Sequence, residues 1–295
     1  MIHSRLFAKK FAGSRKALSP TISTVILTGT MVALISVSLV FVNGFLWARV
    51  AESDFSSSKQ FMQTMGLQID DVAWAVGRKG TVRYSSTYGT VDFLSSALNY
   101  TVYIKTQGSG SYQFLASYQV GVLLFNMPVS HYSVSDGYYE LLYPDSAKNL
   151  TLTGTSAPVA RVFAVEKLTP PMGDGSFTRV VVVPTVRSLF SNMTTSNSTT
   201  YYTRLYLPVL TQGSDHGSSQ SVTFTGNSVA ANTKNRISSI RITVDFPTAT
   251  RQQGFDASFF HFPTLTQIID VPAGYSDSVL ELFTGLVTVE LGVHS

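Results

Sequence analysis

From Ala17 to Ala48 the chain runs for 32 residues without a charged side chain. Seventeen of these are large and apolar, beginning with Leu18, Ile22 and Val25 and ending with Phe45, Leu46 and Trp47. As a helix rising about 1.5 Å per residue, the run would measure roughly 48 Å, against a hydrocarbon layer about 30 Å thick. A helix apolar on every side cannot be left in water, so it must lie in lipid or among other apolar surfaces. The ordinary alternative is a helix buried in a soluble core. Such helices rarely extend so far without a charge.

The flanking charges give the run a direction. Arg5, Lys9, Lys10, Arg15 and Lys16 precede it, and no acid appears before Glu52. Cations gathered on one side of a spanning helix predict a cytoplasmic N-terminus and an exported body. Of the 21 Lys+Arg, five lie in this leader, which leaves 16 against all 17 Asp+Glu, so the body is almost neutral. The overall charge of +4 therefore implies no nucleic-acid groove. A secretory signal peptide has an apolar region of about 7 to 15 residues before a small-residue cleavage site. Here the run is far longer, and its exit, FLWARVAES, places Arg49 two residues before Ala51. The apolar segment is expected to stay with the mature protein.

Ser19 is a good N-cap and Pro20 suits the first helical position, where a missing N–H costs nothing. Just upstream, Arg15-Lys16-Ala17 leads into Leu18-Ser19-Pro20. This succession of a basic pair, a small residue and a long apolar run resembles the class III signal peptide of archaeal type IV pilins. The resemblance rests on Ser14 to Thr28 together with the run behind it. It implies that a prepilin peptidase cuts between Ala17 and Leu18 on the cytoplasmic side, and that the retained helix packs against copies of itself or other pilins. The implied product is a surface filament for adhesion or cell-surface interaction, built by a pilus assembly machinery. Two residues depart from the pattern. Ala17 stands where Gly is commoner, and Ile22 stands where bacterial pilins and archaellins typically carry a glutamate. The second departure separates the chain from archaellins and leaves subunit registration without that carboxylate.

The reading divides the chain into a leader (1–17), an apolar helix with an amphipathic continuation (18–79) and an extracellular head (80–295). In the continuation, Phe55, Met62, Met65, Ile69, Val72 and Val76 recur at heptad-like spacing, the mark of a helix laid on a globular body. Lys59, Asp70 and Asp71 are expected to face water, and the serines of ESDFSSSK are a candidate kink. Within the run, Gly29 with Ala33 and Gly44 with Ala48 make small-xxx-small pairs that let helices approach closely. Beyond Thr81 the pattern changes to short β-branched and aromatic segments. LNYTVYIKT sets Leu98, Tyr100, Val102 and Ile104 on one face, and VGVLLF, VARVFAVE, RVVVVP, YYTRLYLPV, ISSIRITVDF and VLELFTGLVTVEL read as half-buried or fully buried strands. The 70 Ser+Thr against 13% charged residues suit a strand surface dressed with hydroxyls. The fold class is therefore α+β, a long N-terminal hydrophobic helix followed by a mainly antiparallel β-sandwich head. A linker-like stretch at residues 166–178, containing Pro170, Pro171, Gly173 and Gly175, leaves open one β subdomain or two.

Four N-x-S/T sequons, at Asn99, Asn149, Asn192 and Asn197, all fall in the exported part and are glycosylation candidates. No catalytic constellation is found. With no cysteine, disulfides, thiolate catalysis and Cys-based zinc sites are excluded, and no two histidines have metal-ligand spacing. Asp215 and His216 adjoin in a Gly/Ser-rich turn without a nucleophile elbow. No cofactor, metal or enzymatic activity is expected. Gly137 to Tyr143, GYYELLY, is a candidate adhesive patch or an ordinary strand with Tyr138 and Glu140 outward. Two other classes compete with the filament subunit: a single-pass membrane-anchored binding or envelope protein with the same head, and a membrane-tethered hydrolase.

Overall fold

The computed structural model describes residues 20–135, 137–144, 149–167, 176–196, 198–215 and 220–292. It opens with a 54-residue helix, α1 (Pro20–Ala73). There follow β1 (Lys79–Arg83), β2 (Thr90–Thr106), β3 (Gln113–Pro128), β4 (Tyr139–Tyr143), β5 (Thr151–Thr153), β6 (Ala160–Lys167), β7 (Phe177–Pro184), β8 (Val186–Thr194), β9 (Thr199–Asp215), β10 (Ser221–Asn235) and β11 (Ile237–Asp245). Two short helices, α2 (Thr248–Gln252) and α3 (Ala257–Phe260), precede β12 (Thr266–Asp270) and β13 (Asp277–Leu291). The chain forms two compact units that meet in sequence between Arg49 and Val50.

The second unit is the head, built on two curled sheets packed together. One has strand order β1-β10-β13-β9-β8-β5 and the other β12-β11-β2-β3-β7-β6-β4. Pairing is antiparallel except between β13 and β9 and between β5 and β8. A parallel pair needs a long crossover, and β10 to β12 with the two short helices supply the one between β9 and β13. β6 and β7, which flank the linker-like stretch, pair antiparallel from Ala160↔Pro184 to Lys167↔Phe177 within one sheet. Residues 168–175 of that stretch lie outside the described residues.

The strand pattern explains the core. In β2, Leu98, Tyr100, Val102 and Ile104 are buried as their alternation requires. β3 and β7 carry unbroken buried runs instead, Val120 to Phe125 and Val180 to Val183, because the seven-stranded sheet is covered on both faces. Leu123, Phe125, Val180 and Val182 join one hydrophobic cluster with Phe55, Met62, Met65, Ile69 and Val72 of α1. Val122, Leu124, Val181 and Val183 join another with Leu205, Leu207, Leu280 and Leu282 of the second sheet. Phe255, Phe259 and Phe260 enter this second cluster edge to face, with ring centroids 4.8 and 5.0 Å apart. The Asp256 carboxylate holds them there by capping α3, accepting from the backbone N–H of Ser258 and Phe259.

The continuation of α1 departs from expectation at three points. Val76 is 67% exposed, because the helix ends at Ala73 and Gly77, at φ +79°, turns the chain toward β1. The serine cluster does not interrupt α1. Ser58 is buried and its hydroxyl donates to the Phe55 carbonyl at 2.6 Å, so the hydroxyl is satisfied by the helix itself. Lys59 and Asp70 are not simply solvated but bind the β domain, as described below. The last turn of α1 lies directly on two glycines. A Cβ on Gly285 would sit 2.2 Å from the Ala73 carbonyl oxygen, and one on Gly226 would sit 2.3 Å from that of Val72. Only glycine allows so close a backbone approach.

Candidate functional site: the apolar helix and the helix that enters the head

The first unit has one described element, α1 up to Arg49. Ile22 to Arg49 spans roughly 42 Å at helical rise, long and apolar enough to cross a membrane. Sixteen large apolar side chains from Ile22 to Trp47 are each between 49% and 77% exposed, and they lie on every side of the helix. Three of its hydroxyls are turned back onto the backbone. Thr28 donates to the Thr24 carbonyl, Thr30 to that of Leu27 and Ser36 to that of Val32, each at 2.9 Å. These hydroxyls therefore make no demand on the surroundings, as an apolar environment requires. Gly29 and Gly44 have open space where a Cβ would be, and their i+4 partners Ala33 and Ala48 are exposed. Glycine inside a helix costs about 1 kcal/mol relative to Ala, and among the described residues of this unit no packing contact compensates for it. Arg49 ends the uncharged run with its guanidinium 5.2 Å from the Phe45 ring centroid.

Arg15, Lys16, Ala17, Leu18 and Ser19, the residues of the expected processing site, lie outside the described residues. Pro20 is the first residue of α1, the position at which its fixed φ is least costly.

Within the head, α1 from Val50 onward is tied to the β domain by polar contacts as well as by its apolar face. The Asp54 carboxylate accepts from Thr87 N at 2.6 Å, from Ser86 Oγ at 3.2 Å and from Tyr88 N at 3.3 Å. Gln63 Nε2 donates to the Leu142 carbonyl at 2.8 Å. Asp70 accepts from Trp74 Nε1 at 3.0 Å and faces Arg187 Nη1 at 3.4 Å, and the Arg187 guanidinium also lies over the Tyr206 ring. Lys59 Nζ meets Glu140 Oε2 at 2.5 Å, and the Tyr138 hydroxyl donates to the same oxygen. GYYELLY thus forms the edge strand β4 and the turn before it, with Tyr138 and Glu140 engaged by the helix.

These contacts shift the titrations in the directions their geometry requires. Hydrogen bonds from Lys59 and then Tyr138 hold the Glu140 carboxyl below its ordinary 4.5. Burial opposes the charge on Lys59, but the bonds to Glu140 and Tyr138 outweigh it and hold the ammonium above its ordinary 10.5. Glu140 therefore contributes fully above about pH 4.5, losing its contribution as pH falls through its lowered value. Lys59 contributes fully below 10.5 and loses it only in stronger alkali. Both groups are partly exposed, so the pair is worth about 0.5–1 kcal/mol. Unfolding of a Glu140→Gln protein, followed from pH 3 to 9, should show that deficit above pH 5 and convergence with the wild type in acid. A deficit that persists unchanged at the lowest pH would mean that the ion pair is not its source.

The sequons separate by accessibility. Asn192, Met193 and Thr194 are all exposed at the end of β8. Asn149 is exposed on the rim of a surface pocket lined by residues 151–158, but its sequon hydroxyl residue, Thr151, is buried. Asn99 lies within β2, half-buried, with its Oδ1 accepting from Ser117 Oγ at 2.7 Å. Asn197 lies outside the described residues. So do His216 and the side chain of Asp215. His131 stacks on Tyr88 and His261 on Tyr139, with centroids 4.4 and 4.1 Å apart. Among the described residues, no three His, Cys, Asp or Glu side chains gather as metal ligands do.

Comparison with protein-family models, with curated proteins and with solved structures gives no match. The class of the molecule therefore rests on its own architecture, a long N-terminal apolar helix that continues into a two-sheet β head.

Proposed function

We propose that this chain is the structural subunit of an archaeal type IV pilus-like surface filament. The leader is removed between Ala17 and Leu18 by a prepilin peptidase. The apolar helix holds the subunit in the membrane with its head outside, then transfers into a bundle of like helices whose heads form the filament surface. The observation that carries this reading is the division of α1. Up to Trp47 its large apolar side chains are exposed on all sides, while from Ala51 the same helix is built into the head core. Freed from lipid, such a segment needs other apolar helices around it. Gly29 with Ala33 and Gly44 with Ala48 are where those helices approach most closely. The head works by presenting its surface for adhesion, and the reading assigns it no catalytic step, cofactor or metal. The sequons, Asn192 foremost by its exposure, are where glycan would coat it.

Intact-mass measurement and N-terminal sequencing of the protein from its native cells, with electron microscopy of filaments labelled through the head, tests the reading. A chain that begins at Leu18 and is found along filaments is the expected result. A chain that keeps Met1 to Ala17 and stays in the membrane fraction would replace it with the single-pass anchored binding or envelope protein.

A further inference from the structure

Among the described residues of the head, three charged side chains are less than a tenth exposed: Arg161, Glu166 and Arg179. Two of them are answered in part from within the chain, although Glu166 Oε2 and Arg179 Nε have no hydrogen-bond partner. Glu166 Oε1 accepts from Ser133 Oγ at 3.0 Å. Arg179 donates to the Phe177 carbonyl at 3.3 Å and lies in the field of Asp92. Arg161 is different. It is 2% exposed, its Nε and Nη1 have no hydrogen-bond partner, and no carboxylate among the described residues pairs with it. Its one described charge-related contact is the face of Phe262, 5.3 Å from Cζ. A ring face offsets only part of what a buried guanidinium loses on leaving water, and the remainder calls for a counter-charge.

The surroundings define what that counter-charge can be. Arg161 stands opposite Val183 in the β6–β7 ladder, the next pair is Ala160↔Pro184, and just past the strand ends Thr185 N donates to the Val159 carbonyl at 2.8 Å. Thr185 directly follows β7, two residues past Val183, and so lies two residue pairs along the ladder from Arg161. Thr185 is 0% exposed and its Oγ1 also has no partner, so its proton is available to an acceptor. Tyr100 is spoken for, since its hydroxyl donates to the Pro184 carbonyl at 2.9 Å. Burial pushes the Tyr100 phenol well above its ordinary value against the field of Arg161. It is therefore neutral at physiological pH and supplies no negative charge.

We propose that Arg161 holds a small monovalent anion of halide size, bound by its Nε and Nη1 and by the Thr185 hydroxyl beside the Phe262 ring. One negative charge balances one guanidinium. The near-complete burial of both donors excludes sulfate, gluconate and other bulky anions.

The test uses the full chain in detergent, at constant ionic strength, with sodium gluconate exchanged for sodium chloride. Once the site is largely filled, each tenfold rise in chloride should raise the midpoint of thermal unfolding by about 3 °C or more. An Arg161→Met protein, which keeps volume and removes charge, should lose that dependence. Bromide exchanged into crystals of the wild-type protein should give an anomalous peak within hydrogen-bond distance of Arg161, and this readout does not depend on the variant folding. Three results would each overturn the proposal: a midpoint indifferent to chloride, an equal chloride response in both proteins, or a water molecule at Arg161 with no bromide peak.

Discussion

A Gly285→Ala protein is expected to lose about 3 kcal/mol of stability, lowering its unfolding midpoint by about 6–12 °C. The added methyl carbon would lie 2.2 Å from the Ala73 carbonyl oxygen and 2.9 Å from its carbon. Both sides of this contact are backbone, one in a central strand and one in the last turn of α1. Neither can move aside as a flexible side chain would. Gly285 pairs with Val229 of β10 and Pro208 of β9, so shifting its strand disturbs two ladders. Gly226→Ala should behave alike, since its Cβ would meet the Val72 and Ala75 carbonyl oxygens at 2.3 and 2.6 Å. Gly226 also exchanges backbone hydrogen bonds with the turn after α1, accepting from Gly77 N and donating to the Arg78 carbonyl. The control is Gly29→Ala. Apart from its chain neighbours and its own helix backbone, nothing lies within 4 Å of its added Cβ, and helix propensity favours the alanine by about 1 kcal/mol. Thermal unfolding followed by near-ultraviolet circular dichroism compares all three. If Gly285→Ala melts with the wild type, the helix end does not rest on β13 and the packing described for the head is wrong.

The parts of this molecule that sequence discloses are those fixed by local pattern. Alternation placed Leu98, Tyr100, Val102 and Ile104 on the core face of β2, and the apolar runs VGVLLF and RVVVVP marked β3 and β7 as half-buried or fully buried strands. Heptad spacing identified Phe55, Met62, Met65, Ile69 and Val72 as the face of α1 that enters the core. It failed at Val76, where the backbone turn at Gly77 overrides a pattern that says nothing about where a helix stops. What could not be read is what depends on distant partners. Lys59 meets Glu140 across 81 residues of chain, and Arg187 meets Asp70 across 117. Charge alone marks Lys59 and Asp70 as solvated, and only the topology brings their partners to them. The glycines under α1 are equally silent, since Gly226 and Gly285 sit in strand sequences where nothing signals that a helix end will lie on them. The buried Phe255, Phe259 and Phe260 were available as a local cluster. They sit in and just before the four-residue helix α3, too short a stretch for a repeating pattern to stand out, so pattern reading passes over them.

The largest expected difference is between two lengths of this chain. A protein running from Val50 to Ser295 should be a soluble monomer, because that unit holds both hydrophobic clusters and the whole buried length of α1. A protein beginning at Leu18 should require detergent or enter filaments. Between them lie the sixteen large apolar side chains from Ile22 to Trp47, none less than 49% exposed. Sheathing them gains on the order of 25–50 kcal/mol before ordering costs are counted, far more than the marginal stability of an ordinary domain. Their removal should therefore leave the unfolding of the head nearly unchanged while abolishing association, and sedimentation of the two proteins at equal concentration reads this directly. Placing one charge in the middle of the run separates sheathing by lipid or helices from mere stickiness. Leu34→Arg puts a cation where an apolar surround charges about 2.5–3.5 kcal/mol for it, so membrane retention and filament entry should both fall while the head folds normally. A Leu18–Ser295 protein that sediments as a monodisperse monomer without detergent would remove the physical basis for assembly, since the exposed helix would then need no shelter.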